Sequence, residues 1–148
     1  MRKPHRRATQ VLAALTTAAV LTGASAAPAK APSPTVKARK VAGKQIVVNA
    51  KGMTLYRLKP ESPTNPLCLG GCLGAWPPLT VKDRNSKVTA GPGVKGKLSI
   101  LQRADGAGVQ VTLRGYMLYT FSGDSKPGQT AGKGLKSFGG TWLTVSAR

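Results

Sequence analysis

The sequence predicts a small all-β domain: two similar, mainly antiparallel β units packed as a sandwich or barrel-like pair, after a disordered basic arm. Three observations lead there. First, a pattern of Gly, two residues, Leu-Tyr, any residue, a large apolar residue, two more and an acid occurs twice, in Gly52-Met53-Thr54-Leu55-Tyr56-Arg57-Leu58-Lys59-Pro60-Glu61 and in Gly115-Tyr116-Met117-Leu118-Tyr119-Thr120-Phe121-Ser122-Gly123-Asp124. Second, each copy is followed by a Gly-x-Trp element, Gly74-Ala75-Trp76-Pro77-Pro78-Leu79 and Gly140-Thr141-Trp142-Leu143-Thr144-Val145, in the same order and at nearly the same spacing, which marks an internal duplication. Third, the apolar residues between residue 45 and the C-terminus fall in short β-branched or alternating runs bounded by turn formers.

In chain order, Arg2, Lys3, Arg6 and Arg7 precede an apolar stretch from Val11 to Leu21 and then Ala24-Ser25-Ala26. This is the layout of a secretory signal peptide over residues 1–26, cleaved after Ala26. The apolar run is too short and too rich in Ala and Thr to span a membrane. Arg6-Arg7 raises a twin-arginine export route, but no strongly apolar residue follows where that motif favours one, so the general secretory route is expected. Ala24 stands where a lipoprotein would carry its Cys, so release or wall retention is expected. Residues 27–44 contain almost nothing large and apolar, and burial cannot offset the entropy of ordering them; they are expected to form a disordered basic arm.

Residues 45–81 form the first expected repeat. Gln45-Ile46-Val47-Val48-Asn49 reads as a strand, turning through Asn49 to Gly52 into a second strand at Met53 to Leu58, where Tyr56 and Leu58 share one face and Leu55 and Arg57 the other. Pro60, Pro63 and Pro66 exclude a central strand, so a loop delivers Cys68, followed by one short helical turn. Residues 82–95 are polar and connect the repeats. The second repeat, residues 96–148, reads as a meander: Leu98 to Arg103, an Asp105-Gly106 turn, Val109 to Leu113 with one face buried, an Arg114-Gly115 turn, and Met117 to Phe121. The long loop from Ser122 to Gly140 is either functional or stapled by Leu135 and Phe138, and Thr141 to Val145 closes the sheet.

The formal net charge is +19, and loss of residues 1–26, with four basic residues and no acids, leaves +15 on 122 residues. Such a surface attracts polyanions and loses them in salt. The expected partner is therefore an anionic cell-wall polymer or membrane surface, bound nonspecifically and in a salt-sensitive way. Specific nucleic-acid recognition is not expected, because the aromatics sit in strand-core patterns rather than interleaved with the basic residues.

Tyr119-Thr120-Phe121-Ser122-Gly123-Asp124, with Lys126-Pro127-Gly128-Gln129-Thr130 and Phe138-Gly139-Gly140-Thr141-Trp142 after it, resembles a bacterial secreted-repeat family. Its members are exported proteins and lipoproteins with a Tyr-x-aromatic-x-x-Asp signature. Tyr56, Cys68, Cys72 and Trp76-Pro77-Pro78-Leu79 resemble the first repeat of that pattern. Leu58 replaces the aromatic residue there, and Glu61 the Asp. The resemblance implies export; the family's activity is unsettled, with a weak association with alkane catabolism.

Candidate chemistry is sparse. The one histidine, His5, lies in the signal segment, leaving no imidazole for a nucleophile pair or a typical zinc site; no catalytic residue, metal or cofactor is expected. Glu61 and Asp124 occupy equivalent positions: each either caps its own turn, the favoured reading, or the two meet as an acid and base pair. Cys68 and Cys72, an even pair in an exported chain, are expected to form a disulfide, with a redox or metal role as the alternative. Tyr56, Tyr119, Phe121, Trp76 and Trp142 are either core and inter-repeat packing, the favoured reading, or an apolar or sugar-stacking cleft. The function expected is a noncatalytic secreted or envelope-associated module. The alternative is an enzyme or redox accessory protein using Cys68 and Cys72, or Glu61 and Asp124.

Overall fold

A computed structural model describes residues 35–148. The expected signal peptide, residues 1–26, and the first part of the expected arm, residues 27–34, lie outside the described residues.

The described residues open with a strand where the later part of the arm, through residue 44, was expected. Val36–Val41 (β1) pairs antiparallel with Lys44–Asn49 (β2) across a turn at Ala42 and Gly43, both left-handed at φ 45° and 77°. Two successive left-handed residues make the tight turn whose twist suits a hairpin. Val36 is fully buried, its N–H donating to Thr89 O at 3.2 Å and its carbonyl accepting from Gly91 N at 2.8 Å. Residues 36–44 are therefore part of the domain and not of a disordered arm. The physical reason is that a half-buried strand needs only one apolar face: Val36 and Ala38 supply it, and the intervening basic residues are free to stay in water.

The remaining elements are Tyr56–Lys59 (β3), Cys72–Ala75 (α1), Thr80–Val81 (β4), Leu98–Gln102 (β5), Val109–Leu113 (β6), Tyr116–Met117 (β7), Lys136–Ser137 (β8) and Gly140–Thr144 (β9). Beside the β1-β2 hairpin stand two antiparallel sheets, one in the order β3-β9-β8 and one in the order β4-β6-β5, with β7 also on β6.

The pairings show how the duplication is assembled. At the centre, Tyr56 N–H donates to Tyr119 O at 2.8 Å and Tyr119 N–H to Tyr56 O at 3.0 Å, so the two copies of the motif meet antiparallel. Contacts around this pair recur in duplicate. Leu55 N donates to Val47 O, Val47 N to Val145 O and Val145 N to Leu55 O; correspondingly, Leu118 N donates to Val111 O, Val111 N to Leu79 O and Leu79 N to Leu118 O. The Trp segment of each copy thus pairs with the Tyr segment of the other, as Leu58 does with Trp142. The halves are interlocked rather than side by side, and β1 is the counterpart of β5.

Alternation at the central residues feeds two cores. Leu55 and Leu118 enter a cluster with Val36, Val47, Val111, Leu113, Val145 and Ala147, while Tyr56 and Tyr119 enter a second with Leu58, Cys68, Cys72, Trp76, Met117 and Trp142. On β6 the expectation of one buried face is exceeded: all five residues are buried, Gln110 completely. Gln110 is tolerated there because Nε2 donates to Leu118 O at 2.8 Å and Oε1 accepts from Arg103 Nη1 at 2.6 Å.

Candidate functional site

All ten residues singled out in the sequence converge on the second core. The planes of Trp76 and Trp142 lie 5° apart with ring centroids at 3.7 Å, an inter-repeat stack at the middle of the cluster. Each Trp also meets a Tyr edge-on: Tyr56 with Trp76 at 5.4 Å, and Tyr119 with Trp142 at 5.3 Å. Phe121 stacks on Trp76 at 4.3 Å, and Leu58, where the first copy departs from an aromatic, is buried beside Trp142. Both Tyr and both Trp rings are at most 1% exposed, so these aromatics form core and not a cleft.

The carboxylates are exchanged between halves. Tyr56 Oη donates to Asp124 Oδ2 at 2.6 Å, and Tyr119 Oη to Glu61 Oε1 at 3.0 Å. Each acid also organises the loop after it: Glu61 Oε1 accepts from Leu67 N and Cys68 N, both at 2.9 Å, and Asp124 Oδ1 accepts from Ala131 N at 2.9 Å. The capping role expected for Glu61 and Asp124 is thus present, extended by a cross-repeat tyrosine that the spacing did not foretell. Each carboxylate faces a tyrosine of the other half, which is not the arrangement of an acid and base pair. Burial, reinforced by the adjacent Asp124, pushes the Tyr56 hydroxyl well above its ordinary value; burial and the Glu61 charge do the same to Tyr119.

Cys68 and Cys72 are joined in a disulfide with Cα atoms 5.2 Å apart and are at most 1% exposed, so the bridge lies inside the cluster. It holds α1 against the loop that Glu61 caps. In the second half the corresponding loop is pinned by polar groups: Gln129 Oε1 accepts from Ser125 N and Lys126 N, Gly132 N donates to Tyr56 Oη, and Gly134 N donates to Trp142 O. Leu135 and Phe138, the expected staples, are instead exposed. A side chain at Gly132 would place its Cβ 2.6 Å from Trp76 Cη2, so the aromatic stack requires glycine there.

Arg103 is the residue that the sequence reading passed over. It is 5% exposed and all its donors are used: Nε to Asp105 Oδ1 at 2.9 Å, Nη1 to Gln110 and Tyr119, and Nη2 to Cys68 O and Asp105. The bonds that Arg103 donates to Asp105 raise the guanidinium's affinity for its proton and hold the Asp105 carboxyl below its usual range. A signal existed in Arg103-Ala104-Asp105-Gly106, an arginine two residues before an acid at a tight turn. Beside this ion pair lies an apolar cleft of about 370 Å³, lined by Pro63, Pro66, Leu69, Leu101 and Met117.

Outside the core the charge is one-sided. Of eighteen Lys and Arg in residues 35–148, Arg103 alone is buried, and the Arg103–Asp105 contact is the one ion pair among the described residues. Glu61 and Asp124 face inward, and Asp83 accepts from Asn85 N and Ser86 Oγ in its own turn.

Residues 99–146, from β5 to the C-terminal end of the second half, match the model of a family described as a secreted repeat of unknown function. The match covers the second copy of the motif, where the resemblance read from Tyr119 to Asp124 lay. No curated protein and no solved structure matches the chain.

Proposed function

We propose that the protein is a noncatalytic secreted or envelope-associated module whose basic surface holds an anionic cell-envelope polymer. The observation that carries this reading is the partition of charge between core and surface. Seventeen basic groups stand partly or fully exposed, while two of the four carboxylates are buried and a third is bound to Arg103, a net of +14 on residues 35–148. A surface with so many more exposed basic groups than acids carries a net positive charge, which draws in polyanions and is screened by salt. The description of the matched family as a secreted repeat supports an extracellular setting, where such polymers occur. Cys68, Cys72, Glu61 and Asp124, the groups an enzymatic or redox role would use, have exposures of 0 to 8% and bond to protein partners, which supports a structural part for them.

Sedimentation with purified cell wall across a salt series tests the proposal. Bound protein should fall at least about tenfold between about 50 and 200 mM salt, because several counterions are released on binding. Salt-independent binding, or none at low salt, rules the reading out. Asp124→Asn should leave wall binding intact, whereas an enzyme using Asp124 would lose turnover. Removal of residues 27–34 alone takes away one charge, Lys30, and leaves β1 whole. Truncation through Lys40 deletes most of β1, so loss of binding there reports unfolding.

A further inference from the structure

The two halves differ in one conspicuous way. From Glu61 to Trp76 the chain takes 15 residues, but from Asp124 to Trp142 it takes 18, and where the first half has α1 the second has the β8-β9 hairpin. The tip of that hairpin is Phe138-Gly139, at φ 51° and 79°. Left-handed backbone is costly for a bulky aromatic residue, and Asn or Gly is what this turn favours. The ring gives the fold little in return, since Phe138 is 44% exposed and Leu135, three residues earlier, is 42% exposed. A strained position carrying an exposed aromatic residue points to a use outside the core.

The surroundings define the use. Lys133 and Lys136 are exposed on the same segment, and the register places Lys59 and Lys136 on either side of Thr141 across the β3-β9-β8 sheet. From Ser125 to Arg148 the sequence contains no Asp or Glu. An exposed aromatic side chain at the tip and an exposed Leu135 three residues back, opposite Trp142, with lysines beside them and no Asp or Glu on the segment, match the boundary between acyl chains and anionic head groups. A hydrated glycopolymer gives Leu135 nothing to be buried in, and a second copy of this chain brings a like charge.

We propose that the β8-β9 hairpin is a membrane-docking element: Phe138 and Leu135 enter the head-group boundary of an anionic bilayer while Lys59, Lys133 and Lys136 contact lipid phosphates. This rests on the reading that the basic surface faces an anionic envelope, and names the lipid-facing part of it.

The test is flotation of the purified protein with phosphatidylcholine vesicles and with mixed phosphatidylcholine and phosphatidylglycerol vesicles, run beside the wall sedimentation assay. The protein should float with the anionic vesicles, and Leu135→Ser combined with Phe138→Asn should lower its partition by about tenfold or more. The variant should unfold at no lower temperature, since Asn suits the turn, and should sediment with wall as the parent does. Equal flotation of parent and variant overturns the proposal, as does equal partition onto neutral vesicles. Absence of flotation with wall binding intact sinks the hairpin proposal alone, whereas absence of wall binding at low salt sinks the earlier reading alone. A dimer in sedimentation equilibrium that the double variant abolishes assigns the hairpin to self-association and also overturns the proposal.

Discussion

At the scale of single residues, the two tyrosines at the centre carry the most testable physics. Tyr119 is fully buried, packs edge-on to Trp142, donates to Glu61 and accepts from Arg103. Tyr119→Ala should therefore cost about 3 to 5 kcal/mol of stability in denaturant unfolding, as large aromatic truncations do. Tyr119→Phe keeps the ring but leaves Glu61 and Arg103 each one partner short, and should cost about 1 to 3 kcal/mol. A Phe variant as stable as the parent would show that the hydroxyl is dispensable. The same burial sets a pH dependence. Tyr56 and Tyr119 hold their protons well above the ordinary tyrosine value near pH 10, so the stability they contribute is complete below that pH. Above about pH 10 the unfolded chain releases both protons and the folded chain keeps them. Stability then falls by about 1.4 kcal/mol per pH unit for each tyrosine until the folded state ionises too. Denaturant midpoints between about pH 9 and 12, read beside tyrosinate absorbance, check this; a flat profile would mean that the pair ionises freely when folded.

At the scale of elements, equivalent positions of the duplication have unequal environments. Gly140 opens β9 directly against β3, and a Cβ there would run into the backbone carbonyl of Lys59, whereas a Cβ on Gly74 in α1 meets nothing within 4 Å. Gly140→Ala should cost about 1 to 3 kcal/mol by overpacking. Gly74→Ala should leave stability unchanged or raise it by up to about 1 kcal/mol. Paired thermal unfolding curves decide, and equal shifts for both would contradict the geometry. The motif was visible in the sequence but this inequality was not, because it depends on which strand lies opposite. The same holds for much of the architecture. Strands β2, β6 and β9 could be read from β-branched and alternating residues, and the aromatic core from its repetition. β1 was not, because Lys37, Arg39 and Lys40 give it the composition of the arm before it. Its counterpart β5, about 62 residues later, was the signal that could have placed it. Arg103 was missed because a lone arginine in a basic chain looks like surface. Its burial is tolerable because Asp105 pairs its charge and Gln110, Tyr119 and the Cys68 carbonyl, brought together by the fold, take its remaining donors.

At the scale of the whole molecule, the interlocking of the halves decides what can fold alone. The matched segment, residues 99–146, contains one copy of the repeat, yet its Trp142 segment pairs with β3 of the first half, and Asp124 accepts a hydrogen bond from Tyr56. A chain reduced to residues 96–148 therefore leaves Trp142 without its stacking partner, β9 without a neighbour on one side and the buried Asp124 without its tyrosine donor. The loss of roughly half of both cores should leave it unfolded as a monomer, since so short a chain has little stability to spare. The fragment is nevertheless self-complementary in principle. Tyr119 of one copy can meet Tyr119 of another as Tyr56 does, Trp142 can stack on Trp142, and each Asp124 can accept from the other copy's Tyr119. The expected behaviour is thus concentration-dependent: a disordered spectrum at low concentration, and a folded one only when dimers form or when residues 35–95 are added in trans. Circular dichroism and sedimentation equilibrium over a concentration series measure both halves of the claim. A folded monomer of residues 96–148 would show that each repeat is a domain in its own right and that the exchange of tyrosine and carboxylate between copies is not required for the fold.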